Sequence, residues 1–167
     1  MSIYTKTGDL GETSILSGQR VSKNDILIHF EGTADELNSH LGLIKAILPN
    51  RDVRQFIEGI QANLIKLTAH VSDSTNDQYF FPEEEVVVME KEIDKLSEKL
   101  PKRFQLVLPG KNKTEAQIHI ARTVARRTER LFVAVNARQQ LCPSAASYLN
   151  RLSDYLFVLS QQEYQPD

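Results

Sequence analysis

The sequence predicts an all-α fold in which five helices form an antiparallel bundle. Apolar residues recur at helical spacing in segments of about 15–25 residues, and prolines or polar stretches separate these segments. No segment shows the alternation of apolar and polar residues that is typical of a strand. The connections are mostly short, which favours antiparallel neighbours. We therefore expect a single domain, residues 1–167, with a helical bundle over residues 33–163.

Proline and capping signals set the expected helix boundaries. Thr33-Ala34-Asp35-Glu36 has the pattern of a capping box, so the first helix is expected to begin near Thr33 and to end at Pro49. The other helices are expected over residues 51–72, from Pro82 to Pro101, over residues 114–139, and from Pro143 onward. Residues 1–25 lack helical periodicity and are expected to form a separate N-terminal segment of the same domain.

The expected fourth helix carries an apolar face and a strongly basic face. Arginines four residues apart on such a helix repel each other by about 0.2–0.5 kcal/mol per pair, and Glu129 can neutralise only one of them. An anion, acidic residues of another segment, or water alone could relieve this charge, and the residues themselves leave these alternatives open. The apolar face contains Ile118, Ala121, Ala125, Thr128, Phe132 and Val135, and the opposite face contains His119, Arg122, Thr123, Arg126, Glu129 and Arg130.

Several helices also carry apolar residues outside their main stripe. A surplus of this kind indicates a subunit interface in addition to a core. The residues concerned are Leu43, Ile47, Ile120, Val124 and Leu131.

The N-terminal segment has the composition of a polyphosphate-binding loop. Residues 4–14 supply hydroxyl groups, free backbone N–H groups and Lys6, while Arg20 and Lys23 add positive charge downstream. The G-x-x-x-x-G-K-[ST] pattern of a P-loop is absent. A polar, turn-rich segment without any ligand is the alternative that these residues alone leave open.

The composition of the chain argues against several classes of protein. A net charge of −2 and an isoelectric point near 6.1 argue against a nucleic-acid-binding protein with a broad basic surface. Cys142 is the single cysteine, which excludes an internal disulfide and a cysteine-rich metal site. The N-terminus has no secretory signal, and no apolar run is long enough to span a membrane. We therefore expect a cytoplasmic protein that binds neither nucleic acid nor a membrane.

Three stretches of the sequence together resemble one enzyme family. They are IYTKTGDLGETSILSGQRVSKND, then GTADELNSHLG, and finally LPG with IHIARTVARRTER and YLNRLSDYLFVLS. Over about residues 2–160 the chain is similar to the PduO-type ATP:cob(I)alamin adenosyltransferases. The resemblance implies a homotrimer of ferritin-like five-helix bundles with active sites between subunits. It also implies transfer of the 5′-deoxyadenosyl group of ATP to the cobalt of cob(I)alamin, with release of triphosphate.

The same resemblance implies roles for individual residues. Arg126, Arg122 and Asp35 would be catalytic, and Arg122 and Asp35 would join two subunits at the cobalamin side. Leu106 would also lie at the cobalamin side, where the family usually has a phenylalanine that helps to displace the lower axial ligand of cobalt. The residues expected to bind ATP are Thr5, Lys6, Thr7, Gly8, Thr13, Ser14, Lys23, Arg126, Arg127, Thr128, Glu129, Arg130 and Asn150.

The resemblance further implies the cofactors and partners. ATP would be a co-substrate, cobalamin a substrate, and Mg²⁺ would bind mainly through the ATP phosphates, so no protein residue is assigned to a metal. An unidentified reductase would be a further partner. Because Leu106 and Lys111 depart from the family pattern, a non-catalytic relative that binds ATP or a corrinoid as a carrier or regulator is the alternative. A nucleic-acid contact by the arginines is a third alternative, which the acidic isoelectric point disfavours.

Overall fold

The computed structural model describes residue 4, residues 6–100 and residues 108–163. In these ranges, a 3-10 turn at Asp77–Tyr79 lies between the second and third helices. None of the helices in these ranges combines the length and the apolar character needed to cross a membrane. The elements in chain order are β1 (Glu12–Ser14), β2 (Arg20–Ser22), α1 (Ile26–Ile47), α2 (Arg51–Ser72), α3 (Glu84–Ser97), α4 (Lys113–Asn136) and α5 (Pro143–Glu163).

The five helices pack side by side around one hydrophobic core. Helix α4 packs against α1 and α5, while α1 also contacts α2 and α5 also contacts α3. The rings of Phe30 on α1 and Phe132 on α4 are both fully buried, and their centroids lie 5.8 Å apart in an edge-on arrangement. Burial of each such side chain stabilises the fold by about 1.5–3 kcal/mol. The prediction of a five-helix bundle is therefore confirmed.

The first helix begins about two turns earlier than the capping-box pattern predicts. Asp25 is the true N-cap, because its Oδ1 accepts a 2.9 Å hydrogen bond from the backbone N–H of Leu27. Thr33 lies inside α1, where its hydroxyl donates to the carbonyl of His29 over 2.8 Å. The sequence pattern was misleading because a threonine within a helix can satisfy its hydroxyl in this way without acting as a cap.

The expectation that the chain contains no strands was wrong. Strands β1 and β2 form an antiparallel hairpin of three residues each, with Thr13 opposite Val21. Strands this short cannot display a recognisable alternation of apolar and polar residues. The hairpin is attached to the bundle where the backbone N–H of Leu16 donates to the hydroxyl of Ser72, at the end of α2, over 3.0 Å.

The remaining boundaries agree with the sequence at helix starts and differ at two helix ends. Helix α2 spans the predicted residues, and α5 begins at Pro143 as predicted. Helix α3 ends at Ser97, whose hydroxyl donates to the carbonyl of Ile93 over 2.7 Å, and not at Pro101. Helix α4 ends at Asn136 rather than at residue 139, since the Asn136 side chain accepts a hydrogen bond from the backbone of Leu141 and closes the following turn.

Candidate active site

The N-terminal residues form a polar loop around the β-hairpin. Nη2 of Arg20 donates a 2.9 Å hydrogen bond to the carbonyl of Thr7, and the backbone N–H of Lys23 donates one of 2.8 Å to the carbonyl of Gly11. Lys6 has a φ of 62°, which lies in the left-handed region that residues other than glycine rarely occupy. Strain of this kind is concentrated at binding sites. Lys6, one of the predicted phosphate-binding residues, therefore lies in a strained backbone conformation.

Gly8 and Lys23 approach each other closely in this loop. A Cβ atom at position 8 would lie 3.1 Å from Nζ of Lys23 and 3.3 Å from the carbonyl oxygen of Glu12. Glycine at this position therefore allows the lysine ammonium group to lie against the backbone. Two further predicted residues, Thr13 and Ser14, lie in the adjoining strand β1.

Arg126 and Arg130 form an unpaired cationic pair on the exposed face of α4. They lie one turn apart and, together with Glu129 and Val133, line a shallow cavity of about 250 Å³. Within the described residues, neither arginine has a salt bridge or a side-chain hydrogen bond. Two free guanidinium groups on one helix face favour an anion with several oxygen atoms, such as a polyphosphate.

Asn150 of α5 engages the carboxylate of Glu129 at the edge of this cavity. Its Nδ2 donates to Oε1 of Glu129 over 2.9 Å, and its Oδ1 accepts from Nη1 of Arg151 over 2.8 Å. Nε of Arg151 donates in turn to Glu90 over 2.9 Å. Burial raises the pKa of Asp154 beside this network, and the positive charge of Arg151 partly opposes that shift. One oxygen of the Glu129 carboxylate is thus bonded to α5, while the same residue lines the cavity beside the two arginines.

Two other predicted ATP-binding residues of α4 are occupied by contacts with the protein. Arg127 donates to Oε2 of Glu36 on α1, so its charge is paired within the chain. Thr128 is fully buried, and its hydroxyl donates to the carbonyl of Val124 over 3.0 Å. The prediction that Thr128 contacts ATP does not fit this position, because the packing of α4 against α1 excludes a ligand from its side chain.

Arg122 and Asp35 lie on different faces of one chain. Arg122 is half-buried on α4, where its Nε donates to Nδ1 of His119 over 3.2 Å. Burial, and then the neighbouring charge of Arg126, lower the pKa of the Arg122 guanidinium. Asp35 lies on α1 and lines, with Asn38, a cavity of about 270 Å³ between α1 and α2. No salt bridge joins Arg122 to Asp35 within the described part of a single chain.

Glu115 and His119 form a buried polar pair that the sequence analysis did not find. Glu115 is fully buried and His119 is 5% exposed, although the helical wheel places His119 on the polar face of α4. That placement was wrong because the backbone of Gly110 and Lys111 folds over the start of α4 and bonds to Glu115. The available signal was a glutamate four residues before a histidine, five residues after the glycine of a Pro-Gly turn.

Exposed apolar side chains lie on α1 and α4, as the predicted interface requires. Leu43 and Ile47 on α1 are 49% and 41% exposed, and Ile120 on α4 is 46% exposed. Val124 is buried and Leu131 is half-buried, so these two residues belong to the core and its margin instead.

Two predicted site residues, Thr5 and Leu106, lie outside the described residues. The positions predicted for them in the ATP site and at the cobalamin side therefore remain predictions. Among the residues that the structure does describe, no group of three or more His, Cys, Asp or Glu side chains is arranged to hold a metal ion.

Comparison with known proteins identifies the family of this chain. A family model described as cobalamin adenosyltransferase matches residues 3–163. The chain belongs to this family. A corrinoid adenosyltransferase of Citrobacter freundii is 37% identical over 170 residues, which cover 99% of this chain and 97% of that protein. A cobalamin adenosyltransferase of Cupriavidus metallidurans is 40% identical over 161 residues, which cover 95% of this chain and 86% of that protein.

Some curated family members are longer than this chain. The corrinoid adenosyltransferase PduO of Citrobacter freundii is 36% identical over 98% of this chain, and the match covers 50% of that protein. The chain thus spans about half the length of this relative and nearly the full length of the shorter Citrobacter enzyme.

Solved structures of adenosyltransferases have the same fold. A variant PduO-type ATP:corrinoid adenosyltransferase from Lactobacillus reuteri, complexed with cobalamin and ATP, superposes with a TM-score of 0.89 at 31% identity. That match covers 97% of this chain and 93% of the other. A second variant from Lactobacillus reuteri, complexed with ATP, gives a TM-score of 0.86 at 32% identity. The five-helix bundle described above is therefore the fold of the cobalamin adenosyltransferase family.

Proposed function

We propose that this chain transfers the 5′-deoxyadenosyl group of ATP to the cobalt of cob(I)alamin and releases triphosphate. The observation that carries the proposal is the pair Arg126 and Arg130 on the open face of α4, which has no ion pair with any residue that the structure describes. Asn150 donates a hydrogen bond to Glu129, the acidic residue that lines the same cavity. The face therefore offers two neighbouring cations to a polyphosphate, and membership of the family indicates ATP as the nucleotide and cob(I)alamin as the acceptor.

The chemistry of the reaction fits a site that is built from cations. Cobalt(I) supplies the electron pair of the new cobalt–carbon bond, and the electron pair of the broken C5′–O bond leaves with triphosphate. The nucleophile carries no proton, so the reaction requires no general base. Negative charge grows on the leaving group, and guanidinium groups that are already in place stabilise that charge as it develops. We assign this role to Arg126, with Arg130 as its neighbour.

The loop at the N-terminus is the proposed phosphate-binding segment. Lys6, Thr7 and Gly8 supply an ammonium group, a hydroxyl and backbone N–H groups, and the ammonium group of Lys23 lies beside Gly8. Thr5, Thr13 and Ser14 extend the same segment. A polyphosphate can accept hydrogen bonds from all of these donors.

We propose that the working protein is a homotrimer with each active site between two subunits. The N-terminal hairpin is attached at Ser72 of α2, whereas Arg126 belongs to the face that α4 shares with α5. A site that uses both parts is therefore most simply completed by a second copy. Among the described residues of one chain no salt bridge joins Arg122 to Asp35, and this absence, with the exposed apolar residues of α1 and α4, supports the same arrangement.

The remaining parts of the proposal concern the metal, the corrinoid and the cell. Mg²⁺ would enter bound to the phosphate oxygens of ATP, which is its usual mode of binding in phosphoryl-handling sites. Arg122, Asp35 and Leu106 would lie at the cobalamin side, with Leu106 next to the lower axial ligand. A reductase would supply cobalt(I), and the reaction would take place in the cytoplasm.

An anaerobic assay tests the activity. Protein, Mg²⁺-ATP and chemically reduced cob(I)alamin are mixed, and the visible spectrum is followed while triphosphate is measured in the same sample. We expect the cobalt–carbon product and triphosphate in equal amounts, and neither without ATP. ATP binding without either product would overturn the enzyme assignment and support the carrier or regulator. Salt-dependent binding of DNA or RNA without ATP binding would support the nucleic-acid alternative.

A mixed-subunit experiment tests the shared site. Lys23→Ala removes a hairpin cation and Arg126→Ala removes a cation of α4, so each variant alone should have low activity. If each site combines the hairpin of one subunit with α4 of the next, random mixing during co-expression gives about one intact site in four. Recovery to about a quarter of wild-type turnover is therefore expected. No recovery in mixed assemblies would show that one chain supplies both halves.

A further inference from the structure

A continuous chain of buried polar contacts connects the segment before α4 to Arg122. It begins at Glu115, whose Oε2 accepts hydrogen bonds from the backbone N–H groups of Gly110 over 2.8 Å and Lys111 over 3.1 Å. It continues from Oε1 of Glu115 to Nε2 of His119, which lies 3.0 Å away. This contact has the distance of an ion pair but not the geometry of a hydrogen bond, and within the described residues neither atom has a hydrogen-bond partner. It ends where Nε of Arg122 donates to Nδ1 of His119 over 3.2 Å.

The protonation state of His119 follows from its contact with Arg122, a residue that can only donate hydrogen bonds. Arginine carries only donors, so Nδ1 of His119 must accept the hydrogen bond from Arg122. Burial lowers the pKa of His119, which keeps the imidazole neutral at neutral pH. A neutral ring carries one proton, and that proton must therefore be on Nε2, where it faces the carboxylate of Glu115. The hydrogen bond from Arg122 thus determines which ring nitrogen of His119 carries the proton.

We propose that Glu115 and His119 are positioning residues that set the orientation of Arg122 and tie it to the Gly110–Lys111 backbone. With Nε engaged by His119, the guanidinium presents Nη1 and Nη2 to a carboxylate, a geometry that permits two parallel hydrogen bonds. This inference rests on the proposed function, in which that carboxylate is Asp35 of the partner subunit. The pair therefore couples the backbone on the cobalamin side to a contact between subunits.

A purely structural role of the pair is the competing explanation. Asn112 already caps α4, since its Oδ1 accepts a 2.8 Å hydrogen bond from the backbone N–H of Glu115. If Glu115 and His119 only stabilise the start of α4, every disruption of the pair should lower stability and affect all kinetic constants alike. Positioning of Arg122 predicts instead that the result depends on which nitrogen of His119 is replaced.

Two substitutions of His119 separate these explanations. In His119→Asn the amide oxygen can occupy the place of Nδ1 and accept from Arg122, while the contact to Glu115 is lost. In His119→Gln the amide can occupy the place of Nε2 and donate to Glu115, while the acceptor for Arg122 is lost. Glu115→Gln directs an N–H group at Nε2, which requires the proton on Nδ1 and opposes the Arg122 hydrogen bond. Thr123→Ala, which removes an exposed hydroxyl bonded within α4, is the matched control.

The KM for cob(I)alamin is the kinetic readout. We expect His119→Gln and Glu115→Gln to raise it by about tenfold, the effect of losing one charge-assisted hydrogen bond, with the KM for ATP unchanged. We expect His119→Asn and Thr123→Ala to stay within about threefold of the wild type. Equal losses in His119→Asn and His119→Gln, or parallel losses in both KM values, would refute the positioning role.

A nitrogen NMR spectrum of the wild-type protein tests the same series of contacts, from Glu115 through His119 to Arg122, without any assay of turnover. Correlations between ring nitrogens and ring protons distinguish the two neutral tautomers of histidine, and His119→Asn assigns the signal among the four histidines. We expect the proton on Nε2 in the wild type and on Nδ1 in Glu115→Gln. A proton on Nδ1 in the wild type would overturn the proposal even if the enzyme is active. An inactive wild type with the expected tautomer would refute the proposed function and leave the contact chain intact.

Discussion

Arg126→Ala should reduce activity and raise stability at the same time. The side chain is exposed, and it has no salt bridge or hydrogen bond among the described residues. If Arg126 contacts the triphosphate leaving group, its loss removes one charge-assisted hydrogen bond of about 1.5–3 kcal/mol. At about 1.4 kcal/mol per tenfold change, kcat/KM for ATP should fall by about 10- to 150-fold. Arg126→Lys should show an intermediate loss, because it keeps the charge but not the planar fork.

The expected gain in stability comes from relief of repulsion along α4. Arg122 and Arg130 are each four residues from Arg126, and Arg126 contributes, after burial, to lowering the pKa of Arg122. Two like-charge pairs at this spacing cost about 0.2–0.5 kcal/mol each, so their removal should stabilise the fold by about 0.4–1 kcal/mol. For a chain of this size that corresponds to a rise in Tm of about 1–4 °C. Arg127→Ala is the matched control, because it breaks the Glu36 pair and should lower Tm slightly.

Two measurements on one preparation decide this prediction. The cobalt–carbon product is followed anaerobically at several ATP concentrations with saturating cob(I)alamin, and thermal unfolding is recorded without ligand. A lower kcat/KM together with a lower Tm would mean that Arg126 supports the fold, and the leaving-group role would lose its basis. An unchanged kcat/KM would refute the role outright.

Three further predictions concern the scaffold. Burial lowers the pKa of His70 and His119, so below about pH 6.5 the unfolded chain binds more protons than the folded chain. The stabilising effect of the two neutral histidines should therefore be complete above about pH 6.5 and decrease below it. His70→Gln should flatten the pH dependence of the urea midpoint of unfolding, measured above pH ~5. Phe132→Ala should cost about 3–5 kcal/mol and lower Tm by about 6–20 °C, and a shift of less than about 3 °C would contradict the packing described. Ser72→Ala should speed hydrogen exchange at the Leu16 amide while Tm changes by only a few degrees; unchanged exchange would mean that the hairpin is held by other contacts.

The bundle was predictable because the spacing of apolar residues along a long helix shows which face of that helix is packed. The apolar positions of α4, from Ile118 to Val135, are buried as the helical wheel predicts. The start of α1 was not predictable from the same evidence, since Thr33 and Glu36 match a capping pattern while Asp25 provides the cap. Local patterns of this kind compete, and tertiary contacts decide between them.

The candidate site also has features that the sequence predicted and features that it did not. The basic face of α4 was evident from spacing, yet spacing could not show that Arg127 is paired with α1 while Arg126 has no ion pair in the part of the chain that the structure describes. That difference depends on which helix packs beside each residue. The burial of Glu115 and His119 was hidden for a related reason, because a turn outside α4 covers a face that the wheel treats as exposed.

The end of α5 lies beside the start of α4. Nδ2 of Asn112 donates a 2.8 Å hydrogen bond to the carbonyl of Glu163, the last residue of α5. Gly110 and Lys111, the backbone that we place on the cobalamin side, are the immediate neighbours of Asn112. Corrinoids absorb visible light, so a fluorophore attached at position 163 would lose emission by energy transfer when cobalamin binds nearby. The end of this helix therefore offers an optical reporter of corrinoid binding that leaves the arginines of α4 untouched.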